Sequence, residues 1–104
     1  MHIRSILIVA SAAAGILGAP LAQANEALLK KHNCVACHQV DKKMVGPAYK
    51  DMAKKYKGQS GVAVKLAEKV KKGGLGVWGK VPMPPNPAVP DGDIKLMIEY
   101  ILSL

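Results

Sequence analysis

Two thiols and an imidazole stand together in Cys34-Val35-Ala36-Cys37-His38, and these two cysteines are all the chain has. Thiols three residues apart can each add to one vinyl group of a porphyrin. A histidine directly after the second thiol is then carried under the ring, where it can offer a nitrogen to iron. Three other chemistries use the same residue types. A disulfide between Cys34 and Cys37 would close a tiny loop, whereas cross-links constrain the unfolded chain more as the loop lengthens. A thioredoxin-like dithiol needs a βαβ setting, and no strand-like alternation is present. A structural zinc site needs four ligands. Outside the leader described below, only His32 could join Cys34, Cys37 and His38, and all four crowd into one turn. The spacing therefore supports covalent haem attachment through Cys34 and Cys37, with His38 as one axial ligand.

What fills the other axial position decides the chemistry. A vacant site suits gas binding or peroxide chemistry, and a strong second ligand leaves electron transfer. The candidates are Met44, Met52, Met83, Met97 and His32. Met52 and Met97 fall on apolar helix faces, where methionine is ordinarily filler. Met44 and His32 lie too near the motif to reach round the ring. Met83 sits in Val81-Pro82-Met83-Pro84-Pro85-Asn86. Prolines fix φ and supply no N–H, so this segment is a stiff, extended strut. It follows His38 at a distance that lets two helices travel around the porphyrin. Met83 is the expected second ligand. A soft thioether favours ferrous iron and raises the potential, and an apolar pocket pushes the same way.

The elements that must position these groups read as helices. The first spans Glu26 to about Asn33 and runs into the motif. Gly46-Pro47 breaks the chain after an exposed loop bearing Lys42 and Lys43. Tyr49 to Tyr56 places Tyr49, Met52, Ala53 and Tyr56 on one face. Ser60 to Lys72 has Ser60 as N-cap and Ala63, Leu66, Ala67 and Val70 as its stripe. Gly73-Gly74 stops it. The stretch from Gly73 to Pro90 has no periodicity, and loops this long in small domains are usually functional. The last helix begins with Asp91 as N-cap and presents Ile94, Met97, Ile98, Ile101 and Leu102. The fold class is all-α.

Ahead of the motif lies a leader. Met1-His2-Ile3-Arg4 is basic, Ile6 to Ala19 is apolar apart from Ser11, and Ala22-Gln23-Ala24 has the small-x-small form of a signal-peptidase site. The apolar run falls short of the roughly 20 residues a membrane span needs. Residues 1–24 are therefore expected to be a signal peptide cleaved after Ala24, with no stable membrane insertion of the mature chain. Residues 25–104 then form one domain in an exported compartment, most simply a bacterial periplasm, where thiols are not held reduced. Such a domain is small for an unaided core. With no Phe and one Trp, its own aromatic filling is thin, and a porphyrin would complete it.

The charge is strongly positive, +8 over the whole chain, and of its 15 basic residues only Arg4 is not lysine. Arginine is the residue suited to bidentate phosphate recognition. Its absence from the mature chain, together with the leader, argues against a nucleic-acid partner. The lysines serve as a solubilising coat, as a field steering the protein toward an acidic partner, or as both.

Taken together these residues resemble the short bacterial class I cytochromes c of the c-551/c-552 type. The resemblance covers essentially the whole mature chain. It rests on Cys34-x-x-Cys37-His38, Val45-Gly46-Pro47-Ala48, Lys72-Gly73-Gly74, and Gly76-Val77-Trp78-Gly79 leading into the Met83 strut. It implies an all-α fold with crossing terminal helices and one covalent haem c whose edge is exposed. It implies that the Pro47 carbonyl accepts the Nδ1 proton of His38. Trp78 would donate to a haem propionate or serve as core filler, and Asn86 would lie near the Met83 sulfur or act as a turn residue. The family's role would be that of a monomeric electron carrier, not an enzyme. It would pass single electrons between respiratory donors and terminal reductases or oxidases and dock through a lysine-ringed haem edge on acidic redox proteins.

Overall fold

The computed structural model describes residues 21–104. Of the expected signal peptide, residues 1–24, residues 1–20 lie outside the described residues, and residues 21–24 open a helix. Four α-helices follow in order: α1 (Leu21–Lys31), α2 (Tyr49–Tyr56), α3 (Val62–Lys72) and α4 (Asp91–Leu102), with a short 3₁₀ turn, Cys34–Ala36, after α1. Among the described residues the only β pairing is an isolated antiparallel bridge between Gly74 and Met83. No described helix is long and apolar enough to cross a membrane.

The last helix is the hub. α4 packs on α1, α2 and α3, because its apolar positions recur every three to four residues. Ile94, Met97, Ile98 and Ile101 are all buried, and with Leu29 of α1, Tyr49 of α2 and Val89 they form one cluster. The stripe of α3 is different. Ala63, Leu66, Ala67 and Val70 pack against that cluster but are only partly buried, since Leu66 and Val70 also border a cavity described below.

Helix ends differ from the sequence expectation in four places. α1 begins at Leu21 rather than Glu26. α1 stops at Lys31, and Asn33 turns the chain with φ 61°, a conformation asparagine tolerates better than most residues. α3 starts at Val62 rather than Ser60. Its N-cap is Gly61 at φ 73°, with no side-chain cap, because the tight turn out of α2 takes positive φ at Gly58 and Gly61. α4 starts at Asp91, but the capping position is Pro90, whose carbonyl accepts from Ile94 N–H at 3.0 Å. Asp91 and Asp93 thus occupy the first turn, where negative charge suits the helix dipole. Asp93 uses that place to reach the end of α1: its Oδ2 lies 2.9 Å from His32 Nε2.

The N-terminal N–H groups of α2 are satisfied from the motif segment. Tyr49 N–H donates to the Gln39 carbonyl at 2.9 Å and Lys50 N–H to the Val40 carbonyl at 3.1 Å. The helix cannot form its first turn in place without fixing the chain just after His38.

Ile94 is 1% exposed at the centre of the cluster, whereas Val64 on α3 is 73% exposed. Ile94→Ala should cost about 2–5 kcal/mol in denaturant unfolding, and Val64→Ala should stay within about 0.5 kcal/mol.

Candidate functional site

The motif residues are positioned by local hydrogen bonds. His38 N–H and Cys37 N–H both donate to the Cys34 carbonyl, at 3.0 and 3.1 Å. This winds the five residues into one turn and brings Cys34, Cys37 and His38 to the wall of a single cavity. The two cysteines are not joined in a disulfide. Burial pushes the Cys34 thiol up from its ordinary value, partly offset by a backbone hydrogen bond.

His38 is buried and held on three sides. Its Nδ1 lies 2.8 Å from the Pro47 carbonyl oxygen. A carbonyl can only accept, so Nδ1 carries the proton and Nε2 keeps its lone pair. The Tyr49 ring stacks against the imidazole, with centroids 5.4 Å apart and planes 24° from parallel. Gly46 closes the remaining side: a Cβ there would fall 2.4 Å from His38 Cε1 and 2.7 Å from Nδ1. The backbone of Gly46 is itself tied to the motif, its N–H donating to the Cys37 carbonyl at 2.8 Å. Gly46-Pro47 is thus more than a helix breaker, because one residue clears space for the ring and the next orients it.

Met83 reaches the same cavity from the long loop. Its backbone pairs with Gly74, Met83 N–H donating at 2.7 Å and Gly74 N–H donating back at 3.1 Å. The approach is close enough that a Cβ on Gly73 would lie 2.6 Å from the Met83 carbonyl oxygen and 2.8 Å from Pro85 N, and Gly73 has φ +74°. Only glycine suits both demands. This bridge was invisible as a strand in the sequence, since two residues show no alternation. The signal that could have found it was the pair Gly73-Gly74 facing a proline-flanked residue.

The cavity measures about 550 Å³, within the range of cofactor sites. Trp78 and Asn86 also line it. Trp78 is partly buried, edge-on to Tyr56 at 6.3 Å between centroids, with Lys55 Nζ 4.9 Å above its ring. Its indole N–H has no hydrogen-bond partner among the described residues. The Asn86 amide nitrogen donates to the carbonyls of Pro84 at 3.1 Å and Val70 at 3.3 Å, so it clasps the loop onto α3. Met44, Met52 and Met97 line the cavity as well; Met97 is buried in the α4 cluster, Met44 is exposed on the loop, and Met52 faces in from α2. His32 also borders the cavity, but its Nε2 is taken up by Asp93. Among the described residues no three His, Cys, Asp or Glu side chains converge as a metal cage. Cys34, Cys37, His38 and His32 are therefore not arranged as a zinc site.

The donor set fits a haem: two thiols on one turn, an imidazole with Nε2 available, and a thioether and an indole bordering the same cavity. The Cytochrome c family model matches residues 22–104. The chain belongs to the cytochrome c family. It is 53% identical over 93 residues to cytochrome c-552 of Nitrosomonas europaea, covering 89% of this chain and 90% of that one. It is also 53% identical over 78 residues to cytochrome c-551 of Pseudomonas aeruginosa, covering 75% and 74%. The crystal structure of the wild-type Nitrosomonas europaea cytochrome c552 superposes with a TM-score of 0.74 at 53% identity, over 76% of this chain and 98% of that one. A class 1 cytochrome, MtoD of Sideroxydans lithotrophicus ES-1, gives a TM-score of 0.64 at 29% identity, over 78% and 92%. This cytochrome c is all-α, carries covalently attached haem c, and with one Cys-x-x-Cys-His motif is a mono-haem electron carrier.

Two expected outcomes follow from the surroundings of His38. Gly46→Ala forces the imidazole off its seat and should lower the thermal midpoint of the holoprotein, while Gly92→Ala, where an added Cβ meets nothing, should raise stability slightly. The Tyr49 hydroxyl is buried without a partner among the described residues, and burial pushes its pKa well above the ordinary 10.0. The unfolded chain releases that proton first, so stability falls as pH rises above about 10. Tyr49→Phe should be neutral or stabilising at pH 7 and should flatten the alkaline loss in unfolding titrations.

Proposed function

We propose that this cytochrome c is a periplasmic, monomeric shuttle that passes single electrons between respiratory donors and terminal reductases or oxidases, with His38 and Met83 as axial ligands of the haem iron. The observation that carries the reading is that His38 and Met83, on separate segments, border one cavity together with both motif thiols. Cys34 and Cys37 would hold the haem covalently, and the Pro47 carbonyl would fix the His38 tautomer and raise its basicity as a ligand. Trp78 would donate to a propionate, and Asn86 would hold the Met83 loop against α3. Bound haem supplies a one-electron couple whose potential the axial pair and the apolar walls tune. The protein's part is to keep both ligand-bearing segments in place in either oxidation state, so that little moves as the electron passes.

Export fits the leader: cleavage after Ala24 would release residues 25–104 as the working domain. Docking fits the rim of the cavity. Met44, Val45, Leu75, Val77 and Val81 are exposed there, and Lys43, Lys69 and Lys80 line the same space. An apolar skirt among lysines suits a small, transient interface with an acidic redox partner, fast on and fast off.

Met83→Ala tests the ligand assignment. It should abolish the weak sulfur-to-iron charge-transfer band of the ferric protein, lower the reduction potential, and open the ferrous protein to carbon monoxide. Rapid carbon monoxide binding by the unaltered protein at neutral pH would instead indicate a vacant axial site and end the shuttle reading.

A further inference from the structure

The segment that joins the Met83 strut to α4 has few donors of its own. Pro87 and Pro90 lack N–H groups, and Val89 N–H is used locally, donating to the Asn86 carbonyl at 3.3 Å. A proline-rich turn with so little internal bonding must be held from outside. The holder is Lys71, in the last turn of α3. Its Nζ donates to the Val89 carbonyl at 2.6 Å and the Pro87 carbonyl at 3.2 Å, and lies 3.0 Å from Asp91 Oδ1. An ammonium has three protons, and each has an acceptor here. The main chain of the same residue also takes part: Asn86 N–H donates to the carbonyls of Val70 at 3.0 Å and Lys71 at 3.2 Å.

The neighbouring lysine marks the contrast. Lys72 Nζ pairs with Glu68 at 2.7 Å within its own helix, with both side chains mostly exposed. Lys71 is 32% exposed, and its contacts all lie on a different element. On the other flank, Met83 is held only by the two hydrogen bonds to Gly74.

We propose that Lys71 is a positioning residue for Met83: by gripping Pro87, Val89 and Asp91 it closes the loop on its C-terminal side and sets how readily the thioether leaves the haem iron. The inference rests on the assignment of Met83 as axial ligand. Removing the ammonium leaves the two carbonyls without their donor and lets the strut open about its Gly74 pairing, while the helical core stays packed. Hydrogen bonds from a charged donor are among the stronger ones, so the opening equilibrium should shift by about tenfold.

The test compares Lys71→Gln with Lys72→Gln in the ferric holoprotein. Both remove one positive charge, but only the first touches the loop. Replacement of the thioether by added cyanide, followed through loss of the sulfur-to-iron band, should be about tenfold faster in Lys71→Gln and unchanged within twofold in Lys72→Gln. Amide hydrogen exchange should quicken at Asn86 in Lys71→Gln and stay constant at Met83, whose N–H is held by Gly74, and at Ile98 in α4. Equal cyanide rates in the two variants would overturn the proposal. So would equal acceleration at Asn86 and Ile98, which would mean general destabilisation. A sulfur-to-iron band missing from the unaltered protein would instead remove the ligand assignment itself. The exchange comparison would then still report whether Lys71 holds the loop.

Discussion

A single hydrogen bond sets the terms for this molecule: the Pro47 carbonyl on His38 Nδ1. It decides which ring nitrogen carries the proton and therefore which one can face iron. A ring pinned at one atom could still rotate about that bond. Rotation is prevented by what flanks it, the stacked Tyr49 ring and the bare backbone of Gly46, which leave the imidazole one orientation. The bond also organises the fold. Pro47 stands two residues before α2, whose first N–H groups are capped by carbonyls just beyond His38. Seating the imidazole and starting α2 thus depend on the same stretch of backbone, so an error in either would disturb both.

The rest of the structure meets a packing problem. A domain of this size with no phenylalanine has little side-chain bulk with which to fill its own centre. α4 supplies a continuous apolar face to three other helices, and that cluster is well buried. The face of α3 is not closed in the same way, and its partly buried stripe borders the cavity along with Met52, Trp78 and the strut. The incomplete core and the cofactor site are the same space. A porphyrin held there would bury the apolar surface that the helices leave uncovered, so haem attachment and stability are coupled through area as well as through covalent bonds.

Much of this was legible in the sequence because it is local. The Cys34-to-His38 spacing, the span of α2 and the buried face of α4 all depend on neighbours three or four residues apart. The proline-flanked position of Met83 is a local signal of the same kind. What escaped depends on chain brought in from a distance. Ser60 looked like an N-cap, but the turn from α2 into α3 is fixed by positive φ at Gly58 and Gly61. His32 read only as a residue too near the motif to serve as the second ligand, yet it pairs with a carboxylate of α4. Tyr49 read as one more apolar-face residue, and its stacking on His38 follows only once Gly46-Pro47 folds the loop back. Lys71 carried no signal at all, since a lysine in a lysine-rich helix looks like solvated surface until the loop it holds is in view.

Glycine and proline divide the labour in the long loop, and the division explains why such an irregular stretch can be accurate. Prolines around Met83 remove rotational freedom but also remove donors, so the segment cannot secure itself. Glycines at 73 and 74 let α3 end abruptly and allow the backbone of Met83 to approach closely enough to pair. That pairing, the Asn86 clasp and the Lys71 grip all fasten the loop to the C-terminal turn of α3, whose last carbonyls lack helical partners. The free end of one helix thereby becomes the anchor for the residue on which electron transfer by this protein would depend.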